Sequence, residues 1–372
     1  MPAQVIFWAA TAVPLYTYVV YPLVLRALRL VIHREIRKRP FRPSVSLLIP
    51  AFNEARVIEQ KISNALALHY PAESLEIVVA SDGSRDETVA IARRFEDGRR
   101  VRVLAFPENR GKMPTLNAAV PQLRGEIVVF SDAPAMLHPD SLARLVENFA
   151  DPSVGAASGC YTVVRPGEVN IGASEDLYWK YEAFLKVQES QLASTLGAHG
   201  HLHAIRKELY PYPSAGTIND DYVIPVSVLS KGYRAVYEPE AIVYEEAREM
   251  AGFGRRIRIM AGNIQQLREI GGLLRPLRPL PLYFFLSHKM GRLLVPFAML
   301  AALIANAFSL ASPFYFGLFC CQAIFYVLAG SGALWRLRPK LLMLPFYFSM
   351  INAAAFFGFY HALTERRNMA WK

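Results

Sequence analysis

The chain has 372 residues and is 53% hydrophobic, long enough for one sizeable domain with further segments and more apolar than most soluble proteins. Its formal net charge is +10, but no zinc-finger spacing or other nucleic-acid-binding motif accompanies that charge, which argues against nucleic acid as a partner. The cysteines are Cys160, Cys320 and Cys321, the last two adjacent in an apolar run, so neither a disulfide framework nor a Cys-rich metal site is implied.

Residues 5–32 carry no acid and keep their basic residues near the end, which is about one bilayer crossing. They lack the small-residue cleavage site of a signal peptide. The basic stretch HREIRKRPFR follows, and further basic clusters at 255–258, 275–278 and 336–340 also lie beside apolar segments. Flanks of this kind mark the cytoplasmic side and favour anionic membrane lipid. The organisation expected is an N-terminal transmembrane helix with its basic flank (1–40), a cytoplasmic domain (41–250), an amphipathic interface helix (251–280) and C-terminal transmembrane helices (281–372), in a multi-pass protein of the cell (inner) membrane.

Within the middle segment, apolar runs recur at VSLLIP (45–50), LEIVVA (75–80), VRVLAF (101–106) and EIVVF (126–130). Helix-like stretches separate them. EARVIEQKISNALAL carries Val57, Ile58, Ile62, Ala65 and Leu66 as a helical stripe, and Ser84 to Glu87 has the pattern of a capping box before TVAIARRF. The alternation predicts an α/β fold with a parallel, doubly wound sheet, whose ligands bind beyond the carboxyl ends of the strands.

Polar residues stand at those ends: Asn53 and Glu54 after the first run, Asp82 after the second, Lys112 after the third and Asp132 after the fourth. Singly, each has a plain explanation, since Asn53 or Ser84 could cap a helix and Lys112 could be solvated. Jointly they favour a nucleotide site. No Gly-rich phosphate loop is present, so side chains and a metal would hold the nucleotide.

Farther on, His199, His201 and His203 alternate in GAHGHLHAIR, and a strand there would turn all three to one face. They suit a metal, an acceptor sugar or an ordinary polar face. Asn219-Asp220-Asp221 precedes a helix-like stretch, where the acids could be a cap and a first-turn charge or could do chemistry. FGRRIRIMAGNIQQLREI is basic and amphipathic, as an interface helix would be. Three apolar blocks, roughly 283–310, 312–335 and 341–363, close the chain with short connections, as a helical hairpin and a further span would.

The segments SLLIPAFNEARVI, VVASDGSRDET, RGKMPTLNAAV, VVFSDAPAMLHPDSL, SEDLYWKYE and GTINDDYVIPVSVLSKGYRAVYEPEAIVYEEA together resemble the family-2 inverting glycosyltransferases, in particular the membrane-embedded cellulose, hyaluronan and poly-N-acetylglucosamine synthases. The resemblance covers about 45–270. It implies a GT-A-type fold inserted between transmembrane helices and a nucleotide-diphosphate sugar donor, usually uridine-linked. By this resemblance Asp82 contacts the base with Asn53 and Glu54 nearby, Lys112 lies near the nucleotide, Asp132 holds Mg2+ or Mn2+ on the diphosphate, and Asp221 is the catalytic base. His199, His201 and Arg258 fall on its acceptor side.

Two departures stand out. Pro134 replaces the second acid of the family's Asp-x-Asp, and Ile259 replaces the tryptophan of its Gln-x-x-Arg-Trp element. One carboxylate can still hold an ion once a diphosphate fills other positions. Loss of the indole puts stacking on a growing sugar chain, and so processivity, in question. The activity expected is transfer of a hexose or N-acetylhexosamine to a growing polysaccharide or oligosaccharide, with polysaccharide export or synthase subunits as partners. The alternatives are a non-processive transferase to a polyprenyl-linked acceptor and a degenerate homologue that only binds nucleotide.

Overall fold

The computed structural model describes residues 2–164, 173–246, 253–267, 271, 277–335 and 340–364. The tail TERRNMAWK from residue 365 on, much of the basic stretches at 275–278 and 336–340, and the side chains of Arg255 and Arg256 lie outside the described residues.

The four apolar runs are strands: β1 (Val45–Ala51), β2 (Leu75–Asp82), β3 (Val101–Phe106) and β4 (Ile127–Phe130), all mutually parallel where they pair. Their side chains alternate between two layers, so near-continuous apolar sequence is what a sheet covered on both faces requires. Leu47, Ile49, Ile77 and Val79 face one core with the helices Ile58–Leu66 and Ser141–Glu147. Leu48, Val78, Val128 and Phe130 face a second core with Leu116, Tyr222 and Ile224.

The sheet is mixed, which corrects the wholly parallel sheet expected. Beyond β4 the order continues through β7 (His203–Arg206), β6 (Val154–Val164), β8 (Arg234–Glu246) and β5 (Met136–Leu137), giving β3-β2-β1-β4-β7-β6-β8-β5. β7 runs antiparallel to both β4 and β6. Its short sequence HAIR has no period to reveal a direction, which is why the reversal was invisible in the apolar pattern. The capping box at Ser84 is also not formed: Asp86, not Ser84, accepts from Thr88 N at 3.1 Å and from Ala55 N at 3.1 Å, while Ser84 Oγ accepts from Asn53 N at 3.1 Å.

Three helices are long and apolar enough to cross a membrane: Pro2–Leu28, Pro279–Ala307 and Pro313–Ser331. The fourth expected span is a helix, Lys340–Thr364, whose apolar stretch Leu344–Tyr360 is shorter, so three rather than four reach that length among the described residues. Tyr21 and Leu25 of the first helix and Phe284 and Phe285 of the second sit in the same core as Val78 and Val128. The apolar helices are thus built onto the sheet rather than tethered to it.

The helix Phe253–Gln265 docks on the segment before the Asp220–Ser230 helix. Asn219 Nδ2 donates to Ile259 O at 3.2 Å and to Asn263 Oδ1 at 2.9 Å; Ile218 N donates to Gln265 Oε1 at 3.1 Å, and Gln265 Nε2 to Gly216 O at 3.0 Å.

At the end of β2, Gly83 has φ +66°, and a Cβ there would stand 2.4 Å from Asn109 N. Both the left-handed backbone and the close approach select glycine. Gly83→Ala should therefore destabilise the protein by more than about 1 kcal/mol, read as a lower thermal unfolding midpoint of the detergent-solubilised chain; an unchanged midpoint would refute this account of the turn.

Candidate functional site

The strand-end residues converge on one edge of the sheet, as doubly wound architecture demands. Asp82 is wholly buried at the end of β2. Its carboxylate accepts from Arg110 N at 2.9 Å, Gly111 N at 2.8 Å and Thr115 Oγ1 at 2.7 Å. The side chain expected to meet a base instead latches the loop that leads into the Lys112–Ala119 helix. Asn53, with φ +55°, is exposed and accepts from Arg85 N at 2.9 Å through Oδ1, while Glu54 N donates to Thr88 Oγ1 at 2.8 Å. The turns after β1 and β2 are therefore zipped together, with Asn53 and Glu54 on the rim of the cleft.

Lys112 Nζ lies 3.0 Å from Asp132 Oδ1 and 3.0 Å from Asp220 Oδ2. Burial alone would lower the lysine's proton affinity; the two carboxylates overcome it and raise it. Burial likewise opposes ionisation of Asp132, but Lys112 and His201 hold its carboxyl below the usual range. Asp220 pairs with a cation, and Asn219 in the capping position makes no side-chain cap, so neither acid is an N-cap.

Asp221 faces the same space. A Cβ placed on Gly200 would stand 3.7 Å from Asp221 Oδ2 and 3.9 Å from Asp132 Oδ2, so both carboxylates border the gap beside that glycine. Burial, and then the neighbouring Asp220 charge, push the Asp221 pKa up. Of the two acids in this dipeptide, Asp220 is paired with Lys112 and Asp221 has raised proton affinity.

The three histidines do not share a strand face. His199 and Leu202 form an isolated bridge around a turn, and only His203 lies in β7. The two glycines in Gly197-Ala198-His199-Gly200 favour turning there, and the alternation was accidental. His201 Nε2 is 2.8 Å from Glu245 Oε2, and its ring stacks on Tyr161 with centroids 4.4 Å apart. His199 is buried against Trp179, 5.4 Å between centroids, and burial pushes its pKa well below the ordinary value. His203 stacks on Phe130 at 4.8 Å. Among the described residues no group of three or more His, Cys, Asp or Glu side chains is placed to hold a metal ion. Arg258 is half-buried on the docked Phe253–Gln265 helix.

One contributor escaped the sequence analysis. Lys61, fully buried in the Ile58–Leu66 helix, donates to Ser131 Oγ at 2.7 Å and to Ala135 O, and Ser131 Oγ donates to His201 O at 2.9 Å. Its ammonium pins the loop that carries Asp132 and Pro134. A lysine on the apolar stripe of an otherwise amphipathic helix was the one available clue.

Burial pulls the Lys61 pKa from 10.5 down to about 7. A depressed folded value means that the unfolded chain binds the extra proton between those two pH values. Stability should therefore rise as pH climbs from about 7 towards about 10.5, and Lys61→Met should remove that part of the slope in thermal unfolding at a series of pH values. An identical slope in the variant would count against this role.

The glycosyl transferase family 2 profile matches residues 46–211. The poly-beta-1,6-N-acetyl-D-glucosamine synthase of Staphylococcus aureus (strain COL) is 26% identical over 253 residues, 66% of this chain and 60% of that protein. An N-acetylglucosaminyltransferase of Rhizobium leguminosarum bv. viciae is 26% identical over 223 residues, 56% of this chain and 52% of that one. The chain thus spans about 60% or less of the length of these relatives. Among solved structures, the mannosyltransferase PcManGT from Pyrobaculum calidifontis, in complex with GDP-Man and Mn2+, superposes with a TM-score of 0.75 at 26% identity, over 98% of this chain and 100% of that one. Residues 46–211 thus match a glycosyl transferase family 2 domain, and the mixed sheet with its flanking apolar helices is similar in fold to the GT-A mannosyltransferase.

Proposed function

We propose that the chain is a membrane glycosyltransferase that moves a sugar, with inversion, from a nucleotide-diphosphate sugar to a saccharide or lipid-linked acceptor. The observation that carries this reading is the pair of carboxylates at the Gly200 gap: Asp132, held ionised, and Asp221, with raised proton affinity. An inverting transfer is one in-line displacement at the anomeric carbon. The acceptor hydroxyl loses its proton as it attacks, so one positioned carboxylate suffices. Glycoside hydrolysis, by contrast, needs two facing carboxyls.

Asp221 would take that proton. Asp132 would orient the diphosphate end of the donor, and Lys112, already between Asp132 and Asp220, would offset the charge that the departing diphosphate gathers. The donor set fits a hard cation: Asp132 and Asp220 offer oxygens, and substrate phosphates would supply the other ligands. Mg2+ or Mn2+ held there would supply charge stabilisation for the leaving group. Asn53 and Glu54 on the rim would contact the nucleoside, and Asp82 would act through the loop it latches. His201 and Arg258, with His199 behind them, would border the acceptor.

The nucleotide is expected to be uridine-linked by the resemblance to the synthases. A guanosine-linked donor is the second reading, because the mannosyltransferase bound to GDP-Man aligns with nearly the whole chain. Ile259, where the synthases carry a stacking tryptophan, favours transfer of single sugars over processive polymerisation with export or synthase subunits. The intact set of Lys112, Asp132 and Asp221 argues against a degenerate nucleotide-binding homologue.

Membranes incubated with labelled uridine and guanosine nucleotide sugars should give a lipid-soluble or polymeric product. Asp221→Asn should lower the rate by about 10²- to 10⁴-fold while nucleotide binding persists. A near-parental rate would place the base elsewhere. Because burial, and then the Asp220 charge, raise the Asp221 pKa, the acid limb of the pH–rate profile should lie above the ordinary carboxylate range, and Asp220→Asn should move it to lower pH. A limb within the ordinary carboxylate range in the parent would count against Asp221 as the titrating group. Chelator should abolish transfer and Mg2+ or Mn2+ restore it; full activity in chelator-stripped protein would remove Asp132 from metal binding.

A further inference from the structure

Two lysines, Lys186 and Lys289, converge on the turn beside Asp221, where their charges temper the rise in its proton affinity. Gly197, with φ +100°, begins that turn, and Ala198 N donates to Asp221 O at 2.6 Å. On one side Lys186, buried in the Ala173–Leu192 helix, donates to Ala198 O at 3.0 Å and to Gly197 O at 3.4 Å. On the other, Lys289 Nζ lies 3.8 Å from where a Gly197 Cβ would stand and 5.9 Å from the centre of the Tyr222 ring.

The nearby carboxylates are already engaged. Glu182 pairs with Arg292, and Glu189 Oε1 accepts from Tyr21 OH at 2.7 Å and lies 2.7 Å from His288 Nδ1. Among the described residues, neither Lys186 nor Lys289 has a carboxylate at ion-pair distance. Burial, reinforced by the Lys289 charge, pulls the Lys186 pKa down to about 8. Of the carboxylates near the two ammonium groups, only Asp221 among the described residues is left without another cation in contact, so two positive charges stand against one and a further anion would offset the remainder.

Position in the fold selects the anion. Lys289 sits in the wide π-helical turn Phe285–Met290 of the Pro279–Ala307 helix, the second membrane-length helix. Just before it, Phe284 and Phe285 are buried in the soluble core; on the same helix Leu286, Leu294 and Leu300 are exposed apolar residues. The lysine therefore stands where the helix leaves the domain for the apolar phase, with an apolar flank beside it.

We propose that Lys186 and Lys289 form an anion site that takes the phosphate of a lipid-linked acceptor, whose chain lies along the Pro279–Ala307 helix and whose reacting end reaches Asp221. The site deepens the transferase reading and rests on it for the acceptor role; as a phosphate site it stands independently.

The test measures binding of a long-chain polyprenyl phosphate to the detergent-solubilised chain by native mass spectrometry, with the matching polyprenol and inorganic phosphate as controls. The parent should prefer the lipid phosphate to both. Lys289→Met should weaken that binding about tenfold or more, Lys289→Arg should restore most of it, and both should bind nucleotide as the parent does. Equal binding of polyprenol, equally tight binding of inorganic phosphate, or unchanged lipid-phosphate binding in Lys289→Met would each overturn the proposal. If Lys289→Met fails to fold, the comparison of phosphate with alcohol on the parent decides alone. Should acidic oligosaccharides without lipid bind in preference, the anion is a sugar carboxylate and the lipid site falls. If no nucleotide sugar is ever transferred while the phosphate preference holds, the transferase reading fails and the anion site survives.

Discussion

The cleft is organised around one ammonium group. Lys112 begins the helix after β3, Asp132 ends the β4 edge, and Asp220 opens the helix after β7, so the two 3.0 Å contacts join three separate pieces of chain. Half-buried ions are costly unless paired, and this geometry leaves each with a partner. The pairing also separates the two adjacent acids. Asp220 is paired with Lys112, while burial, and then the Asp220 charge, raise the proton affinity of Asp221. Removing the lysine would take the shared cation from both carboxylates at once.

Beneath that arrangement lies a layer of backbone support. Asp82 collects three donors from the loop before Lys112, and Lys61 holds the loop around Pro134 from below. Both are charged groups placed inside the core, where the cost is met by donors and acceptors that would otherwise be unsatisfied. The loop can thus dispense with a second carboxylate at Pro134 without losing its shape, since Lys61 grips Ser131 and Ala135 on either side.

Much of this was legible in sequence because strands buried on both faces announce themselves as apolar runs. All four runs are strands, and the polar residues that follow them do gather at one edge. Contacts between distant segments were less visible. Asp82 looks the same in sequence whether it meets a ligand or a backbone amide. The alternating histidines imitated a strand because period two is also what a glycine-punctuated turn can produce by chance. Asp220 had the position of a cap, and only the spatial approach of Lys112 revealed its use. Helix Lys340–Thr364 read as a span by composition, but its apolar centre is shorter than those of the other three.

The Phe253–Gln265 helix is bonded to Gly216, Ile218 and Asn219, the residues that deliver the two acids. The alignment of Asp221 is therefore referenced to an element outside the sheet, one that packs against the Lys340–Thr364 helix. The sheet supplies one half of the cleft's coordinate frame and the membrane-side helices supply the other. Excision of residues 41–250 as a soluble fragment would delete the fixed point that orients Asp221 and would also strip Tyr21, Leu25, Phe284 and Phe285 from the core behind β2 and β4. On the proposed mechanism, the domain and its apolar helices are therefore one working unit.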